Sequence, residues 1–364
     1  AAGVLLALFL GGLGWAEAKV WVPTPIHEFG ELVDGELHCW DFPLENVGTA
    51  ELILGPVAPS CACTFVPLAQ DRLAPGERLW VRVCFDASGY GGKHVEEFVS
   101  IRTNDPEQPW VRLALRGYVQ PAAPYQAPAK QLLASLYLLL DVRSPEEHDQ
   151  GRLLGAVNLP WSELPRWLAS LPRGLPIVVY GGEESRAAVE LLRGHGFLAR
   201  ALVGDVHFWL GPFVAGKLQS LAAAEGVPTI RAEALAQRYV VVLDLRPAET
   251  FAEGALPGAV WASAESVLAG ASTLPKVKDL PAGVRYTVWL VDEDGKLAAA
   301  VARALWEGGL PAVGLVGGLR DWRARYGSAW LIPPFWAEHP GGCGGGWVPP
   351  MGRWVSLHQC TITQ

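Results

Sequence analysis

Cysteine is missing from the whole stretch between Cys84 and Cys343, although the 364-residue chain holds six. Thiolate chemistry in that stretch would need a sulfur borrowed from elsewhere. Runs of Lys and Arg are missing too: 29 basic residues against 37 acidic ones leave a net charge of -8. Phosphate backbones and anionic lipid surfaces are bound through clustered cations, so nucleic acid is not an expected partner. Charged residues are scarce at 18% while apolar residues reach 50%, which places the chain with globular rather than disordered proteins. Asn occurs three times and Met once, a pattern that fits a thermophilic source and a GC-rich codon bias equally well.

Beyond the first 18 residues, AAGVLLALFLGGLGWAEA, no apolar run is long enough to span a bilayer. That opening run has no Lys or Arg and closes on Ala16-Glu17-Ala18, an A-x-A-like cleavage site behind an h-region. It reads as a signal peptide over 1–18, with the mature protein starting near Lys19. A retained anchor is the competing reading, against which its shortness and its glycines speak. No Cys follows the run, so a lipid anchor lacks an attachment point. The expected location is therefore the periplasm or the cell exterior, with membrane association only if the segment is retained.

The length accommodates two or three domains, each able to bury a core. From 19 to 120 the texture is all-β. Short alternating runs at 37–42, 51–54, 79–85 and 110–115 are separated by Gly, Pro and Asn-Asp punctuation. The spacing predicts a β-sandwich of about seven strands. Residues 121–130, PAAPYQAPAK, read as a semi-rigid linker. Strands and helices then alternate, and a repeat emerges. Leu140-Asp141-Val142-Arg143 opens one unit and Leu243-Asp244-Leu245-Arg246 the next. Each goes on to Pro145-Glu146-Glu147 or Pro247-Ala248-Glu249, then Gly155-Ala156-Val157 or Gly258-Ala259-Val260. A buried-strand run at 176–180 or 286–291 follows, then an amphipathic helix, and a Gly turn ahead of Trp209 or Trp322. This alternation predicts parallel sheets flanked by helices over 131–215 and 229–331. The last stretch, 332–364, is an irregular Gly/Pro/Trp-rich tail with no assigned fold.

On these residues each repeat resembles a rhodanese-like domain. The β-region resembles a bacterial family of exported Ig-like domains of uncharacterised function. That second likeness rests on His27-Glu28-Phe29-Gly30-Glu31, Leu44-Glu45-Asn46-Val47-Gly48, Ser60-Cys61-Ala62-Cys63-Thr64, Pro75-Gly76-Glu77 and Thr103-Asn104-Asp105-Pro106. Ala62 stands where the usual C-G-C-T motif has glycine. The rhodanese likeness implies an anionic persulfide cradled by loop amides at a helix start. Its loop would begin with Cys directly after the central strand. Here the loops read Gly181-Gly182-Glu183-Glu184-Ser185-Arg186 and Asp292-Glu293-Asp294-Gly295-Lys296-Leu297. Gly181 and Asp292 take the cysteine position, so no catalytic residue is assigned. The acids there would repel an anion, or simply cap their helices. Arg186 matches the family's loop arginine and is open equally to an ion pair with Glu183 or Glu184 and to a ligand role. Asp141, Arg143, Asp244 and Arg246 read as structural ends of strands. His148, His195 and His207 show no carboxylate or thiol at a ligand-like spacing.

Cys61 and Cys63, placed on one face of an extended segment, keep three readings open: structural cysteines, a strained and reducible disulfide, or two thiolates of an incomplete soft-metal site. Cys39 and Cys84 fall on the outward face of their strands, where a bridge depends on whether those strands are neighbours. Cys343 and Cys360 sit in the tail, and six cysteines allow 15 connectivities. No cofactor is expected. The leading functional reading is a non-catalytic interaction protein with a protein partner in a cell-envelope complex. An excess of tryptophan, 16 residues including Trp161, Trp167, Trp209, Trp261, Trp306 and Trp330, suits contact surfaces as well as cores. The alternative is a sulfurtransferase or thiol-redox protein served by Cys61, Cys63 or the tail Cys343, and a third reading is metal delivery through Cys61 and Cys63.

Overall fold

The structure, a computed structural model, describes residues 16–218, 226–271, 274–328 and 331. The apolar segment before residue 16 and the tail with Cys343 and Cys360 lie outside the described residues. The chain divides into two compact units, Ala1–Pro121 and Ala122–Gln364.

Period-two alternation builds the first unit from β1 (Val20–Trp21), β2 (Ile26–Val33), β3 (Leu37–Asn46), β4 (Leu52–Pro59), β5 (Thr64–Phe65), β6 (Arg72–Leu73), β7 (Arg78–Asp86), β8 (Lys93–Thr103) and β9 (Trp110–Gln120). They form two sheets, in the orders β1-β3-β7-β5 and β2-β9-β8-β4-β6. Phe42, Leu44, Val81 and Phe85 of the first and Ile101 and Leu113 of the second share one core. The nine strands exceed the expected seven because three of them, β1, β5 and β6, are two-residue pieces, too short to carry a period. Ala18 is buried in this core, and the Glu17 carbonyl accepts the Thr49 and Ala50 amides at 2.8 and 3.1 Å. The boundary expected after Ala18 therefore falls inside packed structure; a small apolar residue that suits a cleavage site also suits a tight core. Two of the motif residues prove structural. Buried Asn46 donates Nδ2 to the Ala50 and Leu73 carbonyls, and Asp105 accepts the Val20 amide.

In the second unit the strands are β10 (Gln126–Ala127), β11 (Leu138–Asp141), β12 (Gly151–Leu153), β13 (Val157–Asn158), β14 (Pro176–Tyr180), β15 (Leu198–Val203), β16 (Val214–Gly216), β17 (Thr229–Arg231), β18 (Tyr239–Asp244), β19 (Ala259–Trp261), β20 (Tyr286–Val291) and β21 (Ala312–Leu315). Apart from the β12–β16 ribbon they make two parallel five-stranded sheets, β13-β11-β14-β15-β17 and β10-β21-β20-β18-β19. Such sheets are buried on both faces, so their strands read as unbroken apolar runs. Leu138 and Leu140 point into one core and Leu139 into the other; Val242 and its neighbours Val241 and Leu243 divide the same way.

The two repeats exchange their first strands. β10 precedes the first repeat yet pairs with β21, the last strand of the second, in the register Gln126↔Gly314. β17 opens the second repeat yet pairs with β15 of the first, Ala201↔Thr229. The 121–130 segment, expected to be a linker, thus supplies a sheet edge. Both core clusters draw residues from both repeats, and Tyr239 Oη donates to the Leu154 carbonyl at 2.7 Å. Among the described residues no helix is long and apolar enough to cross a membrane.

Candidate functional site

At the end of β11, Asp141 is fully buried, and its carboxylate accepts the Arg143 amide at 3.1 Å and the Arg143 Nε at 2.9 Å. The same guanidinium donates to the Gly151 carbonyl at 2.7 Å. At the end of β18, Asp244, Arg246 and the Gly254 carbonyl repeat this arrangement, with contacts of 3.1, 3.0 and 2.7 Å. These pairs tie a strand end to the turn after it, and neither faces open space for a substrate. One difference was hidden from the sequence: His148 Nδ1 lies 2.8 Å from Asp141 Oδ2. The isolated-histidine reading is corrected there, because the helix Pro145–Gln150 folds back over the strand end. Burial pushes the Asp141 carboxyl up, but His148 and Arg143 more than offset it and hold it below the ordinary range. His195 Nδ1 makes a contact of 2.9 Å with the Leu191 carbonyl at its helix end.

The first loop leaves β14 at Gly181, whose φ of 136° lies in the region that favours glycine, and continues through Gly182 at 61°. A Cβ at 181 would meet the Arg143 Cγ at 2.8 Å and the Arg143 N at 3.1 Å. A cysteine at 181 would therefore force Arg143 to shift and hold a β-carbon at a strained φ. Glu183 makes no side-chain cap to the helix Glu184–Gly194, and the Ser185 hydroxyl ties the loop by donating to the Gly182 carbonyl at 2.8 Å. Arg186 pairs with Glu190 at 3.0 Å, one helical turn on, rather than with Glu183 or Glu184, since residues four apart share a helix face.

The second loop is filled by its first side chain. Asp292, 6% exposed, accepts the Gly295 amide at 2.7 Å through Oδ1 and the Leu297 amide at 2.9 Å through Oδ2. Asp294 accepts the Lys296 amide at 3.1 Å, and Glu293 pairs with Arg323. The helix Lys296–Glu307 therefore has its first amides satisfied by the chain's own carboxylates. Burial raises the Asp292 carboxyl, and the amides of Leu297 and Gly295 pull back without cancelling it.

The remaining sulfur chemistry lies in the first unit. Register places Cys39 opposite Cys84 on adjacent strands β3 and β7, and they form a disulfide with Cα atoms 4.1 Å apart. Cys84 is 4% exposed, so the expected outward face is covered at that point, beside Phe65 of β5. Cys61 and Cys63 form a second disulfide, with Cα atoms 5.2 Å apart. Their segment is a turn closed by the Thr64 amide on the Cys61 carbonyl, not the extended piece expected. Beside the motif residues Ser60 and Thr64 stand two that no sequence pattern singled out, Tyr90 and Glu97. Tyr90 Oη is 3.1 Å from Cys63 Sγ and donates to Glu97 Oε1, also at 3.1 Å. The Thr64 hydroxyl is 3.3 Å from Cys61 Sγ, and the Ser60 hydroxyl donates to Glu97 Oε2 at 2.5 Å. Ligand atoms of Cys61, Cys63 and Glu97 lie within 4.8 Å of one another. In the chain-entropy account, closing the 45-residue separation of Cys39 and Cys84 is worth about 4 kcal/mol and closing a separation of 2 under about 2 kcal/mol.

Of the tryptophans read as contact candidates, Trp306 is exposed, whereas Trp161, Trp167, Trp209 and Trp261 pack against the cores. Trp330 lies outside the described residues.

Comparison with known proteins adds the following. The family model described as "Protein of unknown function (DUF1573)" matches residues 22–119. The model described as "Rhodanese-like domain" matches 126–211 and 230–325, two stretches that make up half of the 364 residues. No curated protein matches. Among solved structures, a protein of unknown function from Porphyromonas gingivalis W83 is similar over 30% of this chain at 22% identity and a TM-score of 0.26. This chain spans about half of that protein, 51%. A thiosulfate sulfurtransferase from Pseudomonas aeruginosa is similar over 54% of this chain and 41% of its own, at 25% identity and a TM-score of 0.21. A rhodanese-related protein from Thermoplasma volcanium shows 31% identity over 22% of this chain and 83% of its own, with a TM-score of 0.20.

Proposed function

We propose, for a chain that belongs to the rhodanese-like family and carries a DUF1573 domain ahead of two tandem copies, a non-catalytic role as an interaction scaffold. In this reading the protein is exported, the β domain is an Ig-like sandwich, and it and the two rhodanese-like copies present surfaces to a protein partner in the cell envelope. The observation that carries it is the state of the two loops where the family would hold a persulfide. Asp292 fills the second with a carboxylate that takes its amides, and Arg143 crowds the position of any side chain at Gly181 in the first. A bound anion would find the Gly295 and Leu297 amides already taken at the one and no side chain to carry a persulfide at the other. An emptied enzyme fold still keeps a rigid scaffold, and fold alone does not dictate activity.

The test is a sulfurtransferase assay with thiosulfate and cyanide on the full chain and on a variant with all six cysteines changed to serine. Neither should turn over, and cross-linking in the native envelope should capture a defined protein partner. Turnover that vanishes in the variant would overturn the reading, because a distant thiol would then be serving these loops.

A further inference from the structure

Two disulfides share the β domain and differ in what their opening would do. Cys39–Cys84 staples two long neighbouring strands across a sequence separation of 45, whereas Cys61–Cys63 spans a separation of 2 in a surface turn. Opening the second bond frees almost no chain, so the domain stays folded around the released sulfurs. Both of its cysteines are half-buried rather than enclosed, leaving a path for an attacking group.

The polar groups around this pair are not arranged evenly. Tyr90 touches Cys63 and not Cys61. Its single O–H faces two acceptors, the Cys63 sulfur and Glu97 Oε1, both at 3.1 Å. While the disulfide is closed the carboxylate is the stronger acceptor; once Cys63 carries a negative charge the thiolate competes for the same proton. Burial, then Glu97, pushes the Tyr90 phenol up, so it remains a donor across the neutral range. Ser60 holds the far oxygen of Glu97, and the Phe85 ring packs against the Tyr90 ring with centroids 5.2 Å apart.

We propose that Cys61–Cys63 is an exchangeable disulfide that oxidises a dithiol segment of a client protein, with Tyr90 assisting the departing Cys63 sulfur and Glu97 positioning Tyr90. A client thiolate attacks Cys61 Sγ, the Cys61–Cys63 bond breaks, and its electron pair leaves on Cys63 Sγ, which accepts the Tyr90 hydrogen bond. The client is then joined to Cys61 through a mixed disulfide. Its second thiol gives up its proton and attacks the client's own bonded sulfur, expelling Cys61 as a thiolate. Two electrons pass from client to pair, the client gains a disulfide, and its two thiol protons end on Cys61 and Cys63. The step needs no other oxidant for one exchange. It is independent of whether the rhodanese-like loops turn over.

The test uses the full chain carrying Cys343→Ser and Cys360→Ser, equilibrated over a series of dithiothreitol concentrations, quenched with iodoacetamide and read by peptide mass. Cys61 and Cys63 should alkylate together at concentrations that leave Cys39–Cys84 intact. One equivalent of a synthetic peptide with two cysteines should be oxidised per chain, and none by the Cys61→Ser/Cys63→Ser variant. Tyr90→Phe should slow that transfer about tenfold, the worth of one hydrogen bond to a charged sulfur. Glu97→Gln should lower the pH at which Cys63 alkylates, since a like charge beside the thiolate is removed. The proposal is overturned if Cys39–Cys84 opens first, or if peptide oxidation survives in the double variant or proceeds at the same rate in Tyr90→Phe. An unchanged alkylation profile in Glu97→Gln strikes Glu97 from it. A pair isolated in reduced form with one equivalent of zinc or copper would assign the cluster to metal binding instead.

Discussion

The first and second rhodanese-like repeats share their strand-end framework and part company at the loop it supports. In both, an aspartate closing a strand grips an arginine two residues on, which in turn reaches a glycine carbonyl at 2.7 Å. Beyond that point the first repeat has two glycines in left-handed conformations and the second a buried aspartate with two amides. The difference teaches that the framework does not depend on what the loop carries. A helix start needs acceptors for its amides, and a cysteine is only one way to occupy the position before it. The pair also shows that neither repeat is complete, because each finishes the other's sheet.

The largest effect should come from separating the repeats. Expressed as 122–218 and 226–328, each half lacks an edge strand and part of both cores, and each should be unfolded alone by circular dichroism and fold on mixing. A half that melts cooperatively by itself would show the exchange to be dispensable. Next in size is removal of the buried cation. Arg246→Ala leaves Asp244 alone in the interior and should cost about 3–5 kcal/mol in urea unfolding. Arg143→Ala should cost about 1–2 kcal/mol less, because His148 remains beside Asp141 as a hydrogen-bonding partner. Equal losses would remove His148 from the account. At the loops, Gly181→Cys should cost about 1–3 kcal/mol through backbone strain and the clash with Arg143, and give no thiosulfate turnover. Rescue of activity by that substitution would mean the loop relaxes.

The smallest effect is one of sign. The Asp141 carboxyl is held low in the fold, so its stabilisation is present above the unfolded value near 3.9 and is lost as pH falls through the folded pKa. Asp292 is held high, so the fold favours its protonated form, and stability falls as pH rises from about 3.9 through its folded pKa. Unfolding measured across the acidic range should therefore respond in opposite directions to Asp141→Asn and Asp292→Asn. Responses of the same sign would mean that one of the two sites is solvated.

Much of the second unit was legible because its cues are local. Asp141-Val142-Arg143 and Asp244-Leu245-Arg246 sit within three residues, and a strand run followed by a Gly turn carries its own period. The absence of cysteine from both loops is likewise a property of the chain alone. What stayed hidden depends on groups far apart in sequence. Tyr90 is 27 residues from Cys63, and no pattern in between ties them. For Arg186 the expected ion-pair partners are Glu183 and Glu184, and the helix face chose Glu190 instead.

By itself, then, the amino-acid sequence determined the order of the domains, the duplication, and which loops lack a thiol, because residue identity and short-range periodicity carry that information. Tertiary structure alone decided the strand exchange, the Cys39–Cys84 bridge, the capping by Asp292 and the approach of Tyr90 and Glu97 to Cys61–Cys63. Each of these is a choice of partner, and partners are chosen by whichever long-range packing buries the most apolar surface while leaving no polar group unmatched.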